Sequence, residues 1–461
     1  MRFFMIIMVI WLSVHSPMSS AKSTALAASL LPTENQVNRQ PWQSYQLILK
    51  QLKITVANKD VNYLWLLLRK AQAEDLLYFH DDFEQTVKQA NKLITTLTPS
   101  QISSTFTYFA GIIAQRHSHY TQAIKLFNSA MQQAHDAHLT RLLVMIKQEL
   151  AYTRSLTESY ESSLNSLQEA YVQAFTLNDQ SLLASINETY GDIYGYMGEY
   201  EKSIEYYQKA LIAYQQLHYP SYIAQVMYGL AATYRYWKKY DQALEQFKAY
   251  QAALTYTPSK GIGYFAAYGL GMTLAEKGDC ELAIPEINKA LLLHGQLDFD
   301  AELYKRKASC LLKLKHISEA KRVLKKAIEI FSSLNELKGT AWQLETDKIT
   351  AQIYFAEGNN QLAYQLLANY YQQYVQVLET QSANRLTRVR NLLDAQRRDV
   401  EIALLKQRSQ VQLLTENLYN QHRLTHYIIV MGVFIFLLIC VLVSILFKRN
   451  NRRLKHNVKN Q

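Results

Sequence analysis

The stretch GDIYGYMGEYEKSIEYYQKAL, residues 191–211, concentrates residue types that could do chemistry. Gly191, Gly195 and Gly198 lie close enough together to suggest a loop that binds phosphate, and the glutamates that follow could bind a metal or transfer protons. A phosphate-binding loop also needs a strand before it and a Lys-Ser or Lys-Thr pair after it. No strand precedes this stretch, and no glycine in it is followed directly by a Lys-Ser or Lys-Thr pair. Packing between helices is therefore the favoured role of its glycines.

A group of four histidines raises the question of a metal site. His117 and His119 precede a predicted helix, whereas His135 and His138 lie at its far end. The helix separates the two pairs by roughly 24 Å, too far for one metal to bridge. The sequence also lacks the HExxH, GxSxG, paired CxxC and kinase signatures. We therefore expect no catalytic residues, no metal and no cofactor, and we do not expect an enzyme.

The composition indicates a protein built almost entirely of helices. The 461 residues include only seven prolines and 14 glycines, and no run alternates apolar and polar β-branched residues as a strand would. The net charge of +11 comes largely from the last fourteen residues and from residues 385–408. Because the remainder is close to balanced, the charge does not indicate binding to nucleic acid.

The stretch at 191–211 belongs to a repeating pattern. A small residue leads each copy at 111, 151, 191, 231 and 271, which is a constant spacing of forty, and looser copies begin at Ala308 and Ala351. A fixed period of this size predicts a solenoid of stacked helix pairs. Small residues let two helices approach closely, and aromatic residues fill the space beside them. Gly198, Gly278 and Gly358 are expected to end the first helix of their pairs, where glycine adopts a left-handed conformation at least cost.

These positions resemble the tetratricopeptide repeat family. The third copy carries the family's pattern of a small residue, an aromatic residue, a turn glycine and then alternating small and aromatic residues: Gly191, Tyr194, Gly198, Tyr200, Ser203, Tyr207 and Ala210. The resemblance is strong at 184–214, 224–254 and 264–294. It departs from the family in lacking the leading Trp and in exceeding the usual period of about 34 residues. It implies an all-α fold, a right-handed α-solenoid of helix pairs.

The resemblance also implies a groove lined by the first helix of each pair, which would bind a protein or peptide partner. The residues carried over to this groove are Tyr108, Ile112, Tyr152, Glu188, Asp192, Tyr196, Tyr228, Arg235, Tyr236, Tyr268 and Met272. Lys305 and Lys313 would make its far end basic. Any of the tyrosines could instead pack against neighbouring helices. Glu188 and Asp192 lie four residues apart on one helical face, so we expect them to receive a cationic group of the partner.

Two terminal segments predict the location of the chain. The first 21 residues have a basic start, an apolar core and a small-residue end, as a secretory signal peptide does. Residues 427–447 form an uncharged apolar run, and a basic tail follows. The predicted location is the bacterial inner membrane, crossed once, with the N-terminal domain in the periplasm and the tail in the cytoplasm. The predicted segments are 1–21 (signal peptide), 28–100 (N-terminal helical or capping region), 101–375 (repeats), 376–426 (long helix), 427–447 (transmembrane helix) and 448–461 (tail).

The segment between the repeats and the apolar run is expected to be one long helix resembling a coiled coil. Two heptad stretches, joined by a four-residue stutter, carry its apolar residues: Leu386, Val389, Leu393, Val400, Leu404, Val411, Leu414 and Leu418. This pattern would allow a parallel homodimer. Of the three cysteines, Cys280 and Cys310 are interpreted as buried free thiols, and a bridge between them is the alternative.

The order of these segments resembles the sensor halves of bacterial membrane histidine kinases and diguanylate cyclases. It implies a membrane-anchored periplasmic protein that binds a protein or peptide and relays or localises that event in envelope signalling. Only 14 residues follow the apolar run, so signalling would need a cytoplasmic or membrane output partner or a change in dimerisation. The alternative is a structural scaffold subunit of an envelope assembly or secretion complex.

Overall fold

The computed structural model of the protein describes residues 32–55, 60–95, 98–117, 119–157, 160–293, 295, 297–334 and 337–457. The predicted signal peptide, residues 1–21, lies outside the described residues. The described residues form eighteen α-helices and one short 3-10 turn, and none of them forms a strand. The helices are α1 (Glu34–Arg39), α2 (Pro41–Thr55), α3 (Val61–Leu76), α4 (His80–Asn91), α5 (Ser100–Arg116), α6 (Tyr120–Asp136), α7 (Thr140–Leu156), α8 (Tyr160–Thr176), α9 (Gln180–Met197), α10 (Tyr200–Leu217), α11 (Pro220–Tyr236), α12 (Tyr240–Ala253), α13 (Lys260–Lys277), α14 (Cys280–Leu293), α15 (Leu297–Lys313), α16 (Ile317–Ser333), α17 (Ala341–Ala356) and α18 (Asn360–Asn457).

The helices from α5 to α16 form six successive antiparallel pairs, which confirms the predicted all-helical solenoid. Local interactions fix the residues at which the helices of a pair begin and end. The Asp179 side chain accepts hydrogen bonds from two backbone amides at the start of α9, and Gly198 ends that helix with φ +82°. Gly278 and Gly358 also adopt positive φ, at +105° and +83°. A side chain at these three positions would strain the backbone, so glycine fixes the turn to the second helix.

Small residues and aromatic rings alternate along the stack. A Cβ atom added at Gly191 would lie 2.8 Å from the ring of Tyr207 on the paired helix, and one at Gly229 of the next pair would lie 2.6 Å from the same ring. The ring of Tyr207 is therefore held between two glycines of adjacent pairs. Gly111 meets Phe127 in the same way. The glycines of the opening stretch thus serve packing, as predicted.

The first helices of the pairs form one layer of the solenoid. Successive first helices, from α5 through α15, contact one another directly, while each second helix packs against the first helices on either side of it. The layer whose neighbours lie closer together is the inner side of a curved stack. The inner layer of this solenoid therefore consists of α5, α7, α9, α11, α13 and α15.

The N-terminal helices are firmly attached to the first pair. Tyr63 and Leu67 of α3, together with Phe83 of α4, share one core with Phe106 and Phe109 of α5. Helix α3 buries a wide apolar face, formed by its leucines and alanines at 64, 66, 67, 68, 71 and 73. A face of this width packs against more than one neighbouring helix.

Cys280 and Cys310 form a disulfide bond, with their Cα atoms 5.0 Å apart. The favoured interpretation of the sequence, two free thiols, is therefore not what the structure contains. The bond joins the start of α14 to the end of α15. Residues thirty apart meet there because each first helix packs against the second helix of the preceding pair, and spacing alone does not reveal that contact.

Helix α18 continues from the last repeat through residues 427–447, and it crosses the boundary between two compact units, Met1–Leu392 and Leu393–Gln461. Side chains in 427–447 are described up to Ile435 and at only a few positions beyond it. In the described part of the chain, no helix combines the length and the apolarity that crossing a membrane requires. By this criterion the predicted transmembrane helix and the predicted location, a bacterial inner membrane crossed once with a periplasmic N-terminal domain, are wrong.

Candidate partner-binding surface

The predicted groove residues divide into two groups according to burial. Tyr108, Ile112, Tyr268 and Met272 are buried in the hydrophobic core. Their side chains pack between helices, below the surface of the inner layer. Tyr196 and Tyr236, by contrast, expose 40% and 55% of their surface, and Tyr152, Asp192 and Tyr228 are half-buried.

The centre of the inner layer is acidic. The hydroxyl of Tyr214 donates to Glu188 Oε2 at 3.0 Å, and that of Tyr207 donates to Asp192 Oδ1 at 2.6 Å. Both bonds connect a second-helix tyrosine to a carboxyl of the paired first helix, α9. Each tyrosine thus fixes one carboxyl while leaving the α9 backbone bonds intact.

A third carboxyl, Glu149 on α7, faces the same region. Gln115 Nε2 donates to Glu149 Oε2 at 3.3 Å and to Thr153 Oγ1 at 2.7 Å. The sequence pattern did not select Glu149. One signal for it exists in the sequence, because Glu149 precedes Glu188 by nearly one repeat period.

These three carboxyls resist ionisation. Burial raises the pKa of Glu149 to about 7 and that of Asp192 to about 7. Burial, and next the negative charge of Asp192, raise the pKa of Glu188 well above its usual range. Within the described residues, no ion pair involves any of the three. A positive charge placed beside them would favour the ionised form and would be attracted to it.

Two tyrosine hydroxyls meet beside the acidic centre. The Tyr152 and Tyr196 hydroxyl oxygens lie 3.3 Å apart, and their rings are 6.4 Å apart. Burial raises the pKa of Tyr196 well above its usual range although 40% of its surface is accessible. Tyr152 and Tyr196 therefore join α7 to α9 beside the acidic centre.

Arg235 and Lys305, two basic residues of the inner layer, are already paired. Arg235 Nη1 donates to Glu276 Oε1 at 2.8 Å, and its guanidinium lies 4.4 Å from the centre of the Tyr236 ring. Lys305 is fully buried, with its Nζ 2.6 Å from Glu302 and 2.9 Å from Glu345. Lys305 therefore stabilises the contact between α15 and α17 and does not supply the exposed basic end that the sequence predicted.

The N-terminal helices contribute groups that the sequence pattern did not select. Arg116, at the end of α5, donates to Asp75 of α3, and its Nη1 lies 3.2 Å from Nδ1 of His80. Burial, and next the positive charge of Arg116, lower the pKa of His80 to about 4, so the imidazole is neutral near pH 7. Nothing in the local sequence pairs these residues, which lie up to 41 positions apart.

The histidines considered at the outset lie in separate surroundings. His117 contacts Glu84 at 3.1 Å, and His135 contacts Asp136 at 3.4 Å. Across the described part of the chain, no group of three or more histidine, cysteine or acidic residues could hold a metal ion.

The helix pairs at the centre of the stack are tetratricopeptide repeats. A tetratricopeptide repeat model matches residues 182–255, which cover α9 to α12, and a second one matches residues 301–333, which cover most of α15 and α16. Repeats of this type are typically non-catalytic scaffolds for protein interaction. No curated protein shows significant similarity to the sequence.

Solved structures show the same fold. A Rap protein complexed with Competence and Sporulation Factor matches 72% of this chain and 99% of its own, with 14% identity and a TM-score of 0.50. A signal transduction ATPase with numerous domains and a tetratricopeptide repeat sensor, from Pyrococcus horikoshii, matches 75% of this chain and 55% of its own, with 13% identity and a TM-score of 0.50. At this identity the likeness concerns the fold alone, a tetratricopeptide-like solenoid.

Proposed function

We propose that the inner layer of the solenoid binds a protein or peptide partner, and that Glu149, Glu188 and Asp192 receive a cationic group of that partner. The observation that carries the proposal is the set of three carboxyls with raised pKa values and no ion pair among the described residues. Keeping such groups together destabilises the free protein. A bound cation would offset that cost.

The aromatic side chains around the carboxyls suit a peptide. Tyr152, Tyr196, Tyr228 and Tyr236 are at least partly accessible, and they lie on three successive first helices, α7, α9 and α11. Tyrosine presents a rigid apolar ring and a hydroxyl that can both donate and accept, so such a row can bind backbone and side chains along an extended segment. The tetratricopeptide repeats at 182–255 include two of these three helices. The Rap protein of similar fold is itself complexed with a factor.

The proposal is tested with a peptide array in which lysine or arginine is scanned along otherwise neutral tyrosine- and leucine-containing peptides. Fluorescence anisotropy then gives the dissociation constants of the peptides that bind. We expect Glu188→Gln combined with Asp192→Asn to weaken the cationic peptides by about 30-fold or more, because losing one partner of a buried charge pair costs about 2 kcal/mol or more.

The matched control removes two negative charges elsewhere. Glu201 and Glu205 lie exposed on α10, and replacing both by Gln changes the net charge equally. This control should retain binding. Equal weakening in both double variants would show that only overall charge matters, and an array without any cation-dependent binder would refute the proposed recognition.

We further propose that the protein acts as an adaptor, in which α18 relays or localises the binding event through a parallel homodimer. Val411, Leu414 and Leu418 support this, since they follow heptad spacing and expose more than half of their surface. The other predicted seam residues, Leu386, Val389, Leu393, Val400 and Leu404, lie outside the described side chains. Light scattering should give twice the chain mass for the wild type and the single mass for Leu414→Lys with Leu418→Lys. A monomeric wild type would contradict the relay through a homodimer. It would leave the scaffold alternative, in which partners dock without a change in the association of this chain.

A further inference from the structure

The N-terminal helices reach from the first repeat to the fourth and fifth. On one side, α3 and α4 share a large core with α5, as described above. On the other side, α1 and the turn after α3 contact the segment from α10 to α13. The sequence separation of these contacts is close to 180 residues. Helices α1 to α4 are called the cover from here on.

Hydrogen bonds join the far edge of the cover to α10–α13 at two places, and Glu34 of α1 also accepts from Arg141 of α7 at 2.7 Å. At the first, Arg39 Nε donates to the Leu217 carbonyl at 3.1 Å, and the Tyr219 hydroxyl donates to Asn35 Oδ1 at 3.0 Å. At the second, the hydroxyls of Thr257 and Ser259 donate to the carbonyls of Leu77 and Tyr78, at 3.1 and 3.4 Å.

Apolar contact at this edge is small compared with that at the attached side. Val37, Ala73 and Leu76 form a cluster with Tyr222 of α11, and the ring of Tyr78 lies 6.3 Å from that of Phe265. The attached side, by contrast, contributes eight buried residues of α3 and α4 to one continuous core: Tyr63, Leu64, Leu67, Leu68, Ala71, Phe83, Val87 and Ala90. Because burial supplies most of the stabilisation, the far edge is the weaker of the two attachments.

The cover contacts helices on both sides of α9. Asp75 pairs with Arg116 of α5 and Glu34 pairs with Arg141 of α7, while other residues of the cover contact α10 to α13; α9 lies between these helices in the stack. Tyr78, in the turn after α3, packs against a cluster that includes Ala224 of α11 and Ile262 of α13. The tip of the cover therefore reaches the inner helices beyond α9.

We propose that the cover closes the inner layer, and that its far edge must leave α10–α13 before a protein or peptide partner can reach Glu188 and Asp192. This inference rests on the proposed function only in taking the inner layer as the binding surface. The closure itself can be tested without any partner.

The test measures the rate at which a cysteine placed at Tyr196 reacts with maleimides of two sizes, in a chain that also carries Cys440→Ser. Tyr196→Cys should react readily with N-ethylmaleimide but slowly with a polymer-linked maleimide, because only the small reagent enters while the cover is closed. Leu292→Cys is the control, since Leu292 exposes 79% of its surface on α14. It should react quickly with both reagents.

Loosening the edge should then admit the large reagent. Tyr219→Phe, Thr257→Val and Ser259→Ala each remove one of the four hydrogen bonds. Each should raise the polymer labelling rate at Tyr196→Cys by about fivefold and leave Leu292→Cys unchanged. Equal polymer labelling of Tyr196→Cys and Leu292→Cys with an intact edge would overturn the proposal, and so would unchanged rates in the loosened variants.

A second measurement needs no variant. Hydrogen exchange of the wild-type chain should show the amides of α1 exchanging through a partial opening while those of α5 and α6 remain protected. Exchange of α1 only together with global unfolding would refute a detachable edge. Size-selective labelling with no cation-dependent peptide binding would instead uphold the cover and refute the proposed function, so the two failures are distinguishable.

Discussion

Replacing Asp192 by Asn should stabilise the protein progressively more as the pH rises from 5 to 8. Burial raises the pKa of Asp192 in the folded protein to about 7, whereas an unfolded chain has an Asp pKa of about 3.9. Between these two values the folded protein keeps a proton that the unfolded chain has lost. Stability therefore falls as the pH rises through this window. Asparagine carries no titratable proton and does not share this loss.

The size of the effect follows from the two pKa values. Integrating proton binding from pH 5 to pH 8 gives a loss of up to about 2.5 kcal/mol for this one carboxyl. The hydroxyl of Tyr207, which donates to Asp192, can donate equally to the side-chain oxygen of Asn. The substitution therefore removes the charge and keeps the hydrogen bond.

The assay is urea denaturation of the wild type and Asp192→Asn at both pH values, followed by circular dichroism. The stability of the variant relative to the wild type should increase by about 2.5 kcal/mol from pH 5 to pH 8. Asp241→Asn is the control for the loss of an exposed carboxyl, because the Asp241 side chain is 85% exposed. A relative stability of Asp192→Asn that stays constant or falls between the two pH values would refute our account of the acidic centre.

Two further predictions concern the packing of the stack. Gly191→Val should destabilise the protein by about 1–3 kcal/mol in urea denaturation, because the added Cβ meets the Tyr207 ring at 2.8 Å. Gly432→Val is the control and should cost much less, since a Cβ there meets nothing within 4 Å. Equal losses of stability in the two variants would contradict the packing role of Gly191. Reducing the bond between Cys280 and Cys310, which closes a sequence separation of 30 residues, should lower the free energy of unfolding by about 3–4 kcal/mol. Thiol titration should first confirm that the bond is reduced. An unchanged denaturation midpoint in the reduced protein would then contradict this expectation.

The prediction of the helix pairs from the sequence succeeded because its signals are local. Gly191 and Tyr207 are sixteen residues apart, and one helix pair brings them together wherever it lies in the chain. The positive φ of Gly198 likewise depends only on how one helix ends. The centre of the candidate site, Glu188 and Asp192, could be selected from a single helix face for the same reason. The location of the protein could not be predicted from the sequence, since the apolar run at 427–447 predicted a membrane crossing that no described helix supports.

The tertiary structure alone decided which selected residues face the inner surface and what covers them. Tyr108 and Tyr268 satisfy the sequence pattern as well as Tyr196 does, yet neighbouring helices bury them. The pairing of Arg116 with Asp75 and the contact of Thr257 with Leu77 have no local signature. They depend on how far the stack curves, which is the sum of many small rotations between helix pairs. The sequence therefore determined the helix pairs and the acidic face of α9, and only the curvature of the stack brought the N-terminal helices into contact with the segment from α10 to α13.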